Sequence, residues 1–191
     1  MSDQSNTINV PPLSDADWPP ELADMLDGFA GALNVYRTMA HHPALLRAWA
    51  DLREHIVNRS ALSLDALEIV ILRTGHRLGS HYEWSQHIER ARKCGMSDAR
   101  ILAVGGPLAE MSVRDALLCK AVDALFDDAR IGDDLLADLF EVYGKPAVFD
   151  LMATVGFYST LGFILNTFQT PLDDDIRARL AENPLDGETH R

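Results

Sequence analysis

The chain has 191 residues, 47% of them apolar, and a net charge of −12. That length suits one domain with a sizeable core, and no run of about 18 uninterrupted apolar residues is present to span a membrane. The acidic balance argues against a nucleic-acid partner, which needs a basic stripe, although local arginines can still receive an anionic small molecule.

Residues 1–17 are polar, contain Pro11-Pro12, and read as a flexible N-terminal arm. The start, Met1-Ser2-Asp3-Gln4-Ser5-Asn6, lacks the basic and apolar regions of a signal peptide, so a cytoplasmic location is expected. Residues 18–181 read as a single all-α domain, a compact multi-helix bundle. Proline and glycine punctuate it, and no long period-two alternation appears. The predicted helices are Glu21–Leu33, Pro43–Asn58, Leu64–His76, His81–Cys94, Asp98–Val104, Val113–Asp128, Asp133–Tyr143, Pro146–Phe168 and Asp173–Ala181. Pro43 suits a first helical position. Ser63, Ser97 and Ser112 suit N-caps, and Gly95 and Gly144 suit C-terminal caps. Residues 182–191, with Asn183-Pro184 and Asp186-Gly187, read as a flexible C-terminal tail. Asp65 to Gly75 and Asp134 to Gly144 form a faint repeat, two acid-started apolar segments ending at glycine, and chance between amphipathic helices explains it equally well.

The two cysteines, Cys94 and Cys119, have no C-x-x-C or metal-ligand spacing and read as helix packing residues. Neither an H-x-x-x-H nor an H-E-x-x-H motif is present, so no metal is expected, and Gly105-Gly106-Pro107 is a helix break, not a phosphate loop. Arg73 and Arg77 could form an anion patch on a face opposite Glu68, but interhelical or solvated ion pairing is the simpler reading.

The chemistry concentrates elsewhere. Glu68 sits in Leu64-Asp65-Ala66-Leu67-Glu68-Ile69-Val70-Ile71-Leu72, where nearly every neighbour favours burial. A buried carboxylate needs a partner. Twelve residues on begins Ser80-His81-Tyr82-Glu83-Trp84-Ser85-Gln86-His87. His87 shares a helix face with Trp84 and Ala91, so it points toward packing. Successive helices pack together, which makes a Glu68–His87 pair reasonable, and such a pair can move a proton near neutral pH. A satisfied core histidine is the competing reading. Ser80 and Glu83 match a capping box, which accounts for both without catalysis. Tyr82 and His81 suit exposed first-turn positions, and Trp84 suits the core. As site residues, Glu68 and His87 are the catalytic candidates, and Ser80, His81, Tyr82, Glu83 and Trp84 are the candidate substrate contacts.

At these residues the chain resembles the carboxymuconolactone decarboxylase family, which also contains alkyl hydroperoxidase D. The resemblance rests on Leu67-Glu68-Ile69-Val70-Ile71-Leu72-Arg73, on Gly79 through His87, and on Ala91 and Gly95. The family pattern is a glutamate followed twelve residues later by C-x-x-C-x-x-x-H. Glu68 and His87 match the glutamate and the histidine, while Ser80 and Glu83 stand in the cysteine places. Serine and glutamate cannot form a disulfide, so thiol-exchange peroxide reduction is not carried over. The resemblance is to the branch without the cysteines. It implies an alkyl hydroperoxidase D-like bundle, a homo-oligomer (trimer or hexamer), and a cofactor-free lyase acting on a small lactone acid of aromatic catabolism. The alternatives are a redox protein using Cys94 or Cys119 with an external thiol, and a non-catalytic helical oligomer or small-ligand binder. In the lyase reading His87 is the general acid/base, and Glu68 orients the imidazole and raises its pKa against desolvation.

Overall fold

A computed structural model describes residues 10–185, and every described element is helical. The predicted arm and tail fall partly outside these residues, at 1–9 and 186–191. Helix α1 (Phe29–Ala32) and α2 (Asn34–Met39) precede α3 (Pro43–Asn58), α4 (Leu64–Leu78), α5 (His81–Lys93) and α6 (Asp98–Val104). The chain continues through α7 (Val113–Asp128), α8 (Asp133–Tyr143), α9 (Lys145–Phe168) and α10 (Asp174–Glu182).

Helix α4 is the axis of the bundle. Ten consecutive residues, Ala66 through Gly75, are buried, because α5, α7 and α9 all pack on it. A helix covered on every side has an all-round apolar sequence, as here. Its polar exceptions are paired. Arg73 donates to Asp123 on α7 and to the carbonyls of Val104 and Gly106, and Arg77 reaches Asp123 and Asp127. The two arginines are therefore interhelical ties and not an anion patch.

The α4–α5 turn is short and tightly defined. Gly79 takes the left-handed conformation (φ 59°), and the Ser80 N–H returns to the Gly75 carbonyl at 2.9 Å. Ser80 then caps α5, its Oγ accepting from the Glu83 N–H. Gly75, the end of the segment compared with 134–144, lies inside α4. A Cβ there would sit 3.3 Å from the Glu83 Cβ, so the missing side chain lets α5 approach closely. Ser97 and Ser112 cap α6 and α7 as read from sequence. Ser63 precedes α4, but its hydroxyl donates to Asp65 instead of capping the backbone.

Helix α9 is the one described helix long and apolar enough to cross a membrane, with a mean hydropathy of 1.6. Its buried residues Ala147, Leu151, Thr154, Tyr158, Leu161 and Leu165 recur at three- and four-residue spacing, the signature of a core helix.

The predicted helix Glu21–Leu33 is broken, and a helix after it was not anticipated. A 3-10 turn at Pro20–Met25 gives way to extended backbone at Gly28, α1 follows, and Leu33 is extended again before α2. Asn34-Val35-Tyr36-Arg37-Thr38-Met39 has poor helix propensity and is held by tertiary contacts. Val35, Tyr36, Thr38 and Met39 are buried, and the Asn34 N–H donates to Asp173, 139 residues away, at 2.8 Å. Residues 13–15 lie against this helix through Leu13 and the Arg37–Asp15 ion pair.

Asp173 is a buried hub. It accepts from Asn34, from the Tyr82 hydroxyl and from the Gln86 amide, tying the entry to α10 onto α2 and α5. Removing the carboxylate leaves three donors short of an acceptor, at about 1–3 kcal/mol for each buried unsatisfied group before relaxation. Asp173→Ala is expected to lower unfolding free energy by roughly 2–4 kcal/mol in denaturant titration. A loss below about 0.5 kcal/mol, the range of ordinary surface changes, would contradict the hub role.

Candidate active site

Helix α4 delivers Glu68 and α5 delivers Glu83 and His87 to one buried point. Glu68 Oε2 lies 2.5 Å from His87 Nδ1. His87 Nε2 faces Glu83 Oε2 at 3.6 Å, across one turn of α5. All three side chains are less than a tenth exposed. Since a carboxylate only accepts, Glu68 fixes the proton on Nδ1 and turns the Nε2 lone pair toward Glu83. The Tyr158 ring meets the imidazole edge-on, 5.1 Å between centroids.

Glu83 does not complete a capping box. The Ser80 N–H is satisfied by Gly75, and the Glu83 side chain turns inward, where its Oε1 is buried with no hydrogen-bond partner among the described residues. Burial pushes the Glu83 carboxyl up to about 8, with Arg90 opposing and Glu68 adding to the rise. Glu83 is therefore a neutral acid at pH 7.

Glu68 pulls the His87 pKa up, as the sequence reading expects, but the net shift is downward. Burial lowers the pKa, and this outweighs the pull of the Glu68 charge and hydrogen bond. The resting pair is a neutral imidazole beside a protonated carboxyl.

These groups open on a narrow cavity of about 20 Å³, room for about one water molecule. Its inner wall includes Tyr36, Tyr82, Glu83, His87 and Tyr158, all buried, while Leu33, Arg53, Val57 and Arg90 are half-buried at its rim. Burial pushes the Tyr36 hydroxyl up to about 12 and Tyr158 well above its ordinary value. Both remain phenols.

Of the predicted contacts, Tyr82 and Glu83 line this cavity and Ser80, His81 and Trp84 do not. The Tyr82 hydroxyl is already engaged by Asp173 and the Val35 N–H. His81 is exposed and lines a separate cleft with Leu172 and Arg177. Trp84 packs beside His76 and Gly105. Glu68 stands behind His87 and positions it. Sequence reading missed Tyr36, Arg53, Arg90 and Tyr158. Arg90 could have been found, since it follows His87 by three residues and Glu83 by seven, on one helix face. Tyr36, Arg53 and Tyr158 arrive from other helices and leave no local signal. Among the described residues no group of three or more His, Cys, Asp or Glu could hold a metal.

Residues 43–126 match the model of the carboxymuconolactone decarboxylase family. No curated protein matches the chain. A Cys-to-Ala variant of the debrominase Bmp8 in complex with 2,3,4-tribromopyrrole superposes with a TM-score of 0.70 at 19% identity, over 94% of this chain and 99% of that one. An uncharacterized peroxidase-related protein from Silicibacter sp. TM1040 gives 0.73 at 12% identity, over 88% and 92%. At these identities the likeness is one of fold, the alkyl hydroperoxidase D-like bundle.

The two buried titrations have opposite effects on stability. His87, depressed below 6.5, makes stability rise with pH up to 6.5, because only the unfolded state binds that proton there. Glu83 keeps its proton from 4.5 to about 8 while the unfolded chain has lost it, so stability falls across that window. The two slopes oppose below 6.5 and Glu83 acts alone above it. Between pH 6.5 and 8 these two groups are expected to lower unfolding free energy by up to about 1.4 kcal/mol per pH unit, and Glu83→Gln is expected to remove that slope. An unchanged slope in Glu83→Gln would refute the raised pKa.

Proposed function

We propose that this chain, which matches the carboxymuconolactone decarboxylase family model over residues 43–126, is a cofactor-independent lyase that decarboxylates a small organic acid by general acid catalysis. The observation that carries the reading is Glu83: a neutral buried carboxyl with an unpartnered oxygen, facing the free nitrogen of His87. The family match favours a lactone acid of aromatic catabolism as the substrate.

Loss of carbon dioxide leaves an electron pair on the former α-carbon, delocalised into a carbonyl or alkene. Glu83 gives its proton to that carbon and becomes a carboxylate. His87 takes a solvent proton at Nε2 and returns it to Glu83, with Glu68 stabilising the transient imidazolium. The sum is one carboxylate and one proton in, and one carbon dioxide and one protonated product out. Tyr36 and Tyr158 supply phenol hydroxyls suited to an oxyanion in the delocalised intermediate. The half-buried rim of the cavity is where substrate and the solvent proton enter.

Thiol chemistry finds less support. Cys119 is fully buried and its thiol is pushed up to about 12 by burial, and Cys94 is also raised by burial. Neither is a ready thiolate at neutral pH. The exposed Phe149, Met152 and Phe163 share one face of α9, which supports self-association of the chain into a homo-oligomer.

The test begins with a screen of lactone acids for released carbon dioxide. On the substrate so identified, Glu83→Gln and His87→Ala are each expected to lower kcat by about 10²- to 10⁴-fold. Activity is expected to fall as pH rises through about 8, where Glu83 loses its proton. Full turnover in both variants would refute the assignment.

A further inference from the structure

Asp173 reaches the cavity from outside residues 43–126, the span matched by the family model. Its segment is fastened twice to α2: Asn34 Nδ2 donates to the Pro171 carbonyl at 3.1 Å, and the Thr38 and Thr170 hydroxyls meet at 3.2 Å. The carboxylate held there meets two side chains that line the cavity, Tyr82 and Gln86. A carboxylate accepts and does not donate, so both partners turn their donors toward it. The Tyr82 hydroxyl gives its proton to Asp173 and accepts from the Val35 N–H at 3.2 Å. The Gln86 amide nitrogen gives one hydrogen to Asp173 and the other to the Tyr82 oxygen, 3.4 Å away. No donor of this group is left over, and the Gln86 oxygen is fixed on the other arm of its planar amide. That oxygen accepts no hydrogen bond among the described residues, yet it is not sealed in as Glu83 Oε1 is, so it opens on the cavity. Around it the cavity offers donors: the neutral Glu83 carboxyl, the Tyr36 and Tyr158 phenols and two guanidiniums.

We propose that Asp173 is a positioning residue that sets the hydrogen-bonding polarity of this cavity, locking the Gln86 amide so that its Oε1 receives a hydroxyl of the substrate. The inference rests on the cavity being the reaction centre, and it narrows the substrate class to a small acid that also carries a hydroxyl. An analogue whose matching atom only accepts sets two acceptors against each other there and leaves the Gln86 oxygen unpaired. Exchanging one carboxylate oxygen for an NH2 group reverses the lock. In Asp173→Asn the new amide keeps its oxygen on the Asn34 N–H, because a nitrogen there would face a donor. Its nitrogen then faces Gln86, which turns its amide over to accept and shows the cavity an NH2 group instead.

The test is ligand binding to the full chain by calorimetry, with the Gln86 side-chain amide followed by ¹⁵N NMR. The probes are 3-hydroxypropanoate and 3-fluoropropanoate, since fluorine is close to a hydroxyl in size and donates nothing. The unaltered chain is expected to bind the hydroxy acid about 3- to 10-fold more tightly. Asp173→Asn is expected to erase or invert that ratio and to move the amide signal, and Gln86→Leu to erase it. An Asp173 that only holds the fold together would weaken both acids alike and leave the ratio intact. Equal affinities in the unaltered chain, binding of neither acid, or an unchanged ratio in Asp173→Asn would overturn the proposal. If Asp173→Asn fails to fold, the unaltered chain and Gln86→Leu decide. Full turnover in Glu83→Gln and His87→Ala would refute the lyase reading and leave this selectivity standing, so the two claims fail separately.

Discussion

The Glu68–His87 hydrogen bond, 2.5 Å long and inside an apolar bundle, is the interaction on which the rest of the site depends. It satisfies a carboxylate that α4 would otherwise bury alone, and it fixes which imidazole nitrogen is free. That free nitrogen faces Glu83. The arrangement requires α4 and α5 to lie close, which Gly75 permits and the Gly79 turn enforces. The core helix, the short turn and the acid–imidazole pair are thus parts of one constraint.

Burial does more here than pairing. Both Glu83 and His87 are driven toward their neutral forms by loss of solvent, and the charges nearby only modify the result. Glu83 is raised and His87 lowered, so a proton that reaches the imidazole passes readily to the Glu83 carboxylate, which suits a relay that must recharge after each turnover. The same burial holds the cysteine thiols and the cavity tyrosines in their protonated forms. The chemistry of the pocket is consequently that of proton donors, with Arg53 and Arg90 at its rim as cations that form no salt bridge among the described residues.

Much of this was legible in the sequence wherever one helix carried the signal. The bounds of α3, α6, α7 and α8 match their reading, since prolines, serine caps and glycines mark them locally. Glu68 and His87 were found because a carboxylate in an apolar run demands a partner. Glu83 was half-hidden, because Ser80-x-x-Glu83 also spells a capping box, and only the Gly75 carbonyl on the Ser80 N–H shows that the glutamate is free to turn inward. Helix α2 was missed because its stability comes from Asp173 at the far end of the chain. Arg53 was invisible for the same reason: its meaning lies in what α5 places opposite it, and no spacing along the chain encodes that.

The most direct measurement is the ionisation of Glu83 itself, followed by carboxyl ¹³C NMR with Glu83→Gln to assign the resonance. The expected result is a carboxyl that stays protonated at pH 7 and titrates near 8. A midpoint at the ordinary 4.5 of an exposed glutamate would contradict the neutral-acid site, and the proposed mechanism with it.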